Sequence, residues 1–408
     1  FMEKLKKELG LFQLTLAGIG VILGAGIYAL IGVAAGVAGN AIWLSFLIGA
    51  IIAGLTGLSY AELSSIFRKD SGEYDYIKEG FNKKIALLIG LTIIFAGIVT
   101  SATVALGFAG YFSSLLKNSF SIELSIVLIA LIITLLLSFI NYYGIKGSSW
   151  FNTISTVIES LGLIIIIFLG IKYIGKVDYL EMPPEGFTGI LKATALVFFA
   201  FLGFDNIVKL AEETKNPQRT IPKAIMLSII ISSIIYVLVA ISAVSILGWQ
   251  TLSQSNAPLA DVAAKSVGGI AFFVLGIIAL FSTGNTILVS LVTTSRMSYG
   301  MAKERGLPKI FSLVDKKTRT PWVSVFLIMV ITILFVLIGD IRTVAELANL
   351  SLFITFAFVN LALIILRYKK PYMERKFTVP LNINKFNVPA FLGALFSLFM
   401  IYYVIKGF

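Results

Sequence analysis

The sequence predicts an all-α integral membrane protein of about eleven spanning helices, two of them interrupted. Three observations carry this expectation. Of the 408 residues, 58% are hydrophobic and 13% charged, whereas soluble domains run near half and about a quarter. The apolar residues fall in long uncharged stretches rather than short alternating ones, which excludes a β-barrel. The Lys and Arg residues sit between those stretches with a strong bias to one side. The chain has no His and no Cys. That removes disulfides, thiolate nucleophiles, His-based proton relays and the usual zinc ligands, so proton chemistry falls to Asp, Glu, Lys or Tyr.

The elements follow in order. The cationic opening FMEKLKKELG leads into a long apolar run, read as a retained first span and not a cleaved leader. Apolar stretches then lie at 14–37, 41–66, 85–116, 122–143, 150–171, 189–208, 222–247, 268–295, 321–338, 343–366 and 388–405. In lipid each must be helical, because nothing else satisfies its backbone. Residues 68–84 (RKDSGEYDYIKEGFNKK) read as a cytoplasmic amphipathic helix, 173–188 as a polar outer loop, and 248–267 as an outer loop with short helices. With the N-terminus inside, 26 of the 33 Lys and Arg residues fall on the cytoplasmic side. This accounts for the net charge of +12 without nucleic acid.

Two spans carry breaks. The first reads GIGVILGAGIYALIG, with Gly24-Ala25-Gly26 near its middle; the sixth reads LVFFAFLGFDNIVKL, with Gly203, Asp205 and Asn206 after an aromatic run. Glycine weakens helix and leaves backbone uncovered, although membrane helices also use it for close packing. An Asp at membrane depth is costly and marks a functional site by default, the plainer reading being that it stabilises the break. Interrupted spans at positions one and six point to two five-helix inverted repeats with a midplane site between them. The expected boundaries are an N-terminal tail 1–13, a first repeat 14–172, an outer loop 173–188, a second repeat 189–367, a cytoplasmic loop 368–387 and an eleventh span 388–408.

Several segments resemble the amino acid–polyamine–organocation (APC) superfamily of transporters, especially prokaryotic relatives of cationic amino acid transporters. They are GVILGAGIYALIG, SYAELSS, DSGEYDYIKEGF, FFAFLGFDNIVKLAEETKNPQRTIPKAI, SRMSYGMAKERGLP, AELANLSLF and RYKKPYMERKFTVP, and the resemblance extends over nearly the whole chain. The resemblance implies a LeuT-like 5+5 inverted repeat with broken helices 1 and 6, and alternating access. It implies that backbone amides around Gly24, Ala25 and Gly26 meet a substrate carboxylate, and that carbonyls of Ile22, Phe199, Ala200 and Leu202 meet its amine. It places Phe199 as the aromatic closing the outer side, and Asp205 at a position that often carries an acid.

Span five places Glu159 roughly 13 Å along the helix from Trp150, near mid-bilayer. Family members similar to this chain often carry a Lys there, so the charge is reversed. Glu159 is read as the proton carrier, since desolvation favours a neutral carboxyl. The alternatives are a Na⁺ site formed with carbonyls near Gly20 and hydroxyls of Ser282 or Thr283, and a protonated structural acid. Glu62 and Lys209, with Glu212 and Glu213, are candidates for a cytoplasmic gate or simply a solvated helix end. Thr100, Ser101 and Thr103 in span three, and Asn349 and Ser351 in span ten, are candidate pocket residues. Some relatives with cationic substrates carry a Glu in span three; this span has no acid, so the resemblance implies neutral substrates of small to medium size.

The expectation is therefore a permease of the cell membrane that carries amino acids by proton-coupled symport, with its N-terminus cytoplasmic. Rival readings are a sodium-independent exchanger of amino acids or polyamines, and a substrate-sensing receptor. No cofactor, no resident metal and no nucleic acid partner are expected, and an enzyme is excluded by the missing nucleophile motifs.

Overall fold

The computed structural model describes residues 9–67, 72–143, 148–181, 185–210, 214–303 and 306–407. Each apolar stretch contains helix. The first is split into α1 (Leu11–Ile22) and α2 (Ala25–Ala38), followed by α3 (Ile42–Ile66). The polar segment that follows holds α4 (Gly72–Gly80), as its amphipathic pattern predicts. Next come α5 (Lys83–Phe120), α6 (Ile126–Tyr143) and α7 (Ser148–Gly170). The sixth stretch is α8 (Gly186–Val197) and then two 3₁₀ segments, Phe198–Phe201 and Phe204–Leu210. Beyond it lie α9 (Pro217–Leu247), the short α10 (Trp249–Ser253) and α11 (Pro258–Val267), and α12 (Gly269–Lys303). The chain ends with α13 (Trp322–Val336), α14 (Ile341–Lys369) and α15 (Val388–Gly407).

Nine stretches among the described residues are long and apolar enough to cross a membrane. One of them, Ala25–Ile66, holds both α2 and α3, while Leu11–Ile22 and Trp322–Val336 are apolar but shorter. Large apolar side chains such as Leu88, Phe139, Phe168, Ile234 and Phe326 remain exposed along the helices, as a lipid-facing surface requires. The core lies where α1, α2, α3, α9 and the broken sixth stretch meet. There Phe46, Phe198, Phe201, Tyr236, Phe353 and Phe356 are fully buried, with offset and edge contacts such as Phe201–Tyr236 at 5.2 Å.

One feature escaped the apolar pattern. The segment between α14 and α15 forms a two-stranded antiparallel hairpin, β1 (Asn382–Ile383) and β2 (Phe386–Asn387), with the turn residue Asn384 in the left-handed region at φ 55°. Hydropathy alone does not mark so short a hairpin.

A buried ion cluster anchors this segment. The Glu62 carboxylate, wholly inaccessible on α3, accepts from Arg367 Nε of α14 at 2.9 Å and from Arg367 Nη2. Arg375 Nε lies 3.2 Å from the same carboxylate, and the Val379 N–H donates to it at 2.8 Å. Arg367 also donates to Asn382 at the start of the hairpin. Glu62, a candidate for a cytoplasmic gate or a solvated helix end, is thus buried and held by two arginines from further along the chain. The Lys209 side chain, and Glu212 and Glu213, lie outside the described residues.

Breaking a buried pair on one side leaves an uncompensated charge, at a cost of about 3–5 kcal/mol. Glu62→Gln is expected to lower the melting temperature of the purified protein and to expose 370–387 to protease. An unchanged melting curve would show that the cluster contributes nothing to the fold.

Candidate functional site

Both interruptions lie where the glycine patterns put them. α1 ends at Ile22, Leu23 caps it, and Gly24 is the N-cap of α2. In the sixth stretch the helix tightens to 3₁₀ at Phe198–Phe201, Leu202 becomes extended, and Gly203 takes φ +117°, a conformation closed to side-chain-bearing residues without strain. The two breaks face each other closely. A Cβ on Gly26 would lie 2.5 Å from Ala200 Cα, and one on Gly203 would lie 2.9 Å from the Val21 carbonyl oxygen. These glycines bring two uncovered backbones side by side.

An unwound segment in an apolar interior must find partners for its polar groups. Tyr236, in the middle of α9, supplies them. Its hydroxyl donates to the Ala200 carbonyl at 2.8 Å and is shared with the Ile22 carbonyl. One side chain thus ties both breaks together. The Phe199 carbonyl accepts from the Leu202 N–H at 3.3 Å, so three of the four carbonyls expected to face a substrate amine already take part in internal bonds. A carbonyl oxygen has two lone pairs and accepts a second donor. At the N-terminus of α2, the Ala25 N–H donates to Thr286 Oγ1 of α12 at 3.3 Å.

Asp205 serves the break itself. Its Oδ1 accepts from the Gly203 N–H at 3.1 Å, a capping bond that orients the second 3₁₀ segment. Phe199 is buried at the turn. Asn349 of α14 donates to the carbonyls of Ala195 and Leu196 at 2.7 and 3.0 Å, pinning the end of α8. Ser351, Ser101 and Thr103 bond to carbonyls of their own helices.

A cavity of about 530 Å³ opens beside the sixth break. Leu202, Gly203, Asp205 and Asn206 form one wall and Thr100, Ser290 and Thr294 the opposite one, with Glu73 of α4 and Arg296 of α12 also lining it. Of the three span-three candidates only Thr100 reaches it, and among the described residues none of Ile22 to Gly26 does. The far side of the breaks is packed shut by α10 and α11. There a Cβ at Gly32 would lie 2.8 Å from the Leu252 carbonyl, and one at Gly110 would lie 2.7 Å from that of Asn256.

A tyrosine chain links that closed side to span five. The Leu259 N–H of α11 donates to the Tyr111 hydroxyl at 3.2 Å. Tyr111 donates to the Tyr28 carbonyl at 3.1 Å, and the Tyr28 hydroxyl donates to the Glu159 backbone carbonyl at 2.7 Å. The Glu159 side chain is only 1% exposed. Ser282 of α12 stands beside its carboxyl, yet among the described residues neither oxygen of Glu159, nor Ser155 Oγ nor Ser282 Oγ, makes a well-directed hydrogen bond. Thr283 donates within its own helix to Ala279 at 2.6 Å. Gly20 packs against Thr156, one turn before Glu159. Of the four expected coupling residues, the structure brings Glu159 and Ser282 together and commits Thr283 elsewhere. Among the described residues no cluster of three metal-ligating acids occurs.

Sequence reasoning missed Tyr236, Tyr28 and Tyr111. The available signal was a hydroxyl-bearing aromatic within otherwise apolar stretches, since a buried Tyr hydroxyl seeks a partner.

A helical membrane protein whose two broken helices meet beside a one-sided cavity has the build of a permease. Residues 9–406 match the amino acid permease family, and the chain belongs to it. It is similar to the branched-chain amino acid permease BcaP of Bacillus subtilis (strain 168), 30% identical with 98% of this chain and 88% of that protein covered. It is likewise similar to the methylthioribose transporter of the same organism, at 29% identity over 93% and 85%. Similarity extends to cationic amino acid transporter 4 of Mus musculus, at 28% identity over 90% of this chain and 60% of that one. The chain is thus a multi-pass membrane transporter of the amino acid class and not an enzyme.

Tyr236→Phe removes the shared donor and leaves two buried carbonyls short of a partner, a loss of about 1–3 kcal/mol. A thermal melt of the variant should fall measurably below the parent. Coincident melts would mean that the breaks are held together by packing alone.

Proposed function

We propose that this permease is a proton-coupled symporter of small to medium neutral amino acids, working by alternating access through a 5+5 inverted repeat. The Lys and Arg bias supports a cytoplasmic N-terminus. The cavity beside Leu202 to Asn206 is then the cytoplasmic vestibule, and α10 and α11 form the closed outer lid.

The substrate binds at the two breaks. The N-terminus of α2 offers amides and the positive end of a helix to a carboxylate. The carbonyls of Ile22, Phe199, Ala200 and Leu202 offer negative ends to an ammonium. Thr286 holds the Ala25 amide until a carboxylate replaces it, and Tyr236 holds two of the carbonyls in the same way. The names of relatives, from branched-chain to cationic amino acid carriers, fit a site that reads the backbone-like part of an amino acid and leaves the side chain to a variable pocket. The acid-free span three supports neutral side chains.

The observation that carries the coupling reading is the Glu159 carboxyl, buried with both oxygens lacking a directed hydrogen bond. An ionised carboxylate in that setting is expensive, and a neutral one is tolerated. Glu159 therefore takes a proton in one state and releases it in another. Its position on α7, joined to α2 through Tyr28, connects that event to the half-helix that binds substrate.

The test is uptake into proteoliposomes as a function of external pH. Uptake by the parent is expected to fall as external pH rises, because fewer carriers load a proton. Glu159→Gln, which mimics the neutral acid, is expected to give a flat profile with exchange retained. A variant profile identical to that of the parent would remove Glu159 from the coupling step. Parent uptake that requires internal substrate and ignores the pH gradient would identify an exchanger.

A further inference from the structure

A second cavity, of about 610 Å³, lies away from the breaks, between α6 and α13 on the outer face of the bundle. Its walls are Leu135, Leu136, Phe139, Phe326 and Met329, with Tyr142 and Trp322 at one end. Phe139, Phe326 and Trp322 are 62%, 53% and 45% exposed, so the groove is open along the helices. Both helices are apolar, and their outer faces look into hydrocarbon.

Two further features single the groove out. The end marked by Tyr142 and Trp322 carries aromatics of the type that settle at the headgroup level. At that same end the chain entering α13 is fastened down: Thr320 Oγ1 donates to the Tyr142 carbonyl at 2.8 Å. The turn before it presents Lys316, Lys317 and Arg319, all exposed.

The turn is built to hold them there. Asp315 Oδ1 accepts from the N–H groups of Lys317 and Thr318 at 2.8 and 2.9 Å. Those amides, Thr318 first, hold its carboxyl below the usual range. Arg319 sits at φ 56°, an uncommon conformation for a side-chain-bearing residue. Three cations and one internally satisfied anion leave a net positive rim beside an apolar groove.

We infer that this groove is a binding site for an anionic phospholipid, with an acyl chain between α6 and α13 and the phosphate on Lys316, Lys317 and Arg319. Charge complementarity selects the occupant: basic residues at a membrane surface favour anionic headgroups, and a zwitterionic lipid offers the same chain without the net charge. The site clamps the α6–α13 pair, which borders the groove on both sides.

Native mass spectrometry of the purified full chain tests this, titrating phosphatidylglycerol, phosphatidylethanolamine and inorganic phosphate separately. Phosphatidylglycerol is expected to remain bound as a single adduct and to raise the melting temperature. The triple variant Lys316→Ala, Lys317→Ala, Arg319→Ala should weaken that adduct by about tenfold or more and bring it level with phosphatidylethanolamine, while its own melt without lipid stays that of the parent. An adduct unaffected by the triple variant overturns the proposal. So does equal retention of the two lipids, and so does protection by inorganic phosphate alone, which would mark a surface anion patch unconnected to the groove. The chain has no Cys, so Phe326→Cys gives a single thiol; efficient disulfide-linked dimers in liposomes would assign the groove to a second copy instead.

Discussion

The constraint on which the structure depends is the absence of water for backbone groups inside a bilayer. A continuous helix satisfies it automatically. This chain breaks two helices in the middle and must then provide for the exposed amides and carbonyls one at a time. Tyr236 takes the carbonyls of Ile22 and Ala200, Thr286 takes the Ala25 amide, and Asp205 takes the Gly203 amide. Each of these side chains belongs to or abuts a different helix, so the breaks are held by the surrounding bundle. That arrangement also makes them usable. A polar group satisfied by a single exchangeable hydrogen bond can trade that partner for a ligand at little net cost.

The same logic governs charge. Glu62 and Arg367 are buried but fully paired, with Arg375 and the Val379 amide completing the carboxylate. Glu159 is buried beside Ser282, and among the described residues neither of its oxygens makes a well-directed hydrogen bond. The first is a fixed joint between α3, α14 and the hairpin segment. The second is tolerable chiefly as a neutral acid, which is the property a proton carrier needs. Two glutamates at similar burial thus differ in what their neighbours supply.

Much of this was legible in the residues. Hydropathy located every apolar stretch, and Gly24 and Gly203 marked both interruptions, because lipid permits so few alternatives to continuous helix. Asp205 and Glu159 stood out because charge at depth is rare. Other parts were not legible, for physical reasons. Glu62 meets Arg367 across 305 residues, and nothing local distinguishes that arginine from the other cations near helix ends. Tyr236 lies in a run of apolar residues where its ring is ordinary core, and only the three-dimensional approach of the two breaks gives its hydroxyl a task. Arg375 and Val379 reach Glu62 because the chain between α14 and α15 folds back onto α3, which hydropathy does not predict.

The central claim is that the paired breaks form the substrate site and that the adjoining cavity leads to it. Leu202 lines that cavity at the sixth break, and the chain is free of cysteine, so Leu202→Cys reports on that spot alone. The most direct measurement is the rate at which a small hydrophilic maleimide modifies this thiol in the purified protein, with and without a saturating amino acid found to bind by thermal shift. The account predicts that the bound amino acid slows modification severalfold, and that a non-binding amino acid at the same concentration does not. A rate unchanged by every binding amino acid would contradict it, placing the substrate away from the breaks.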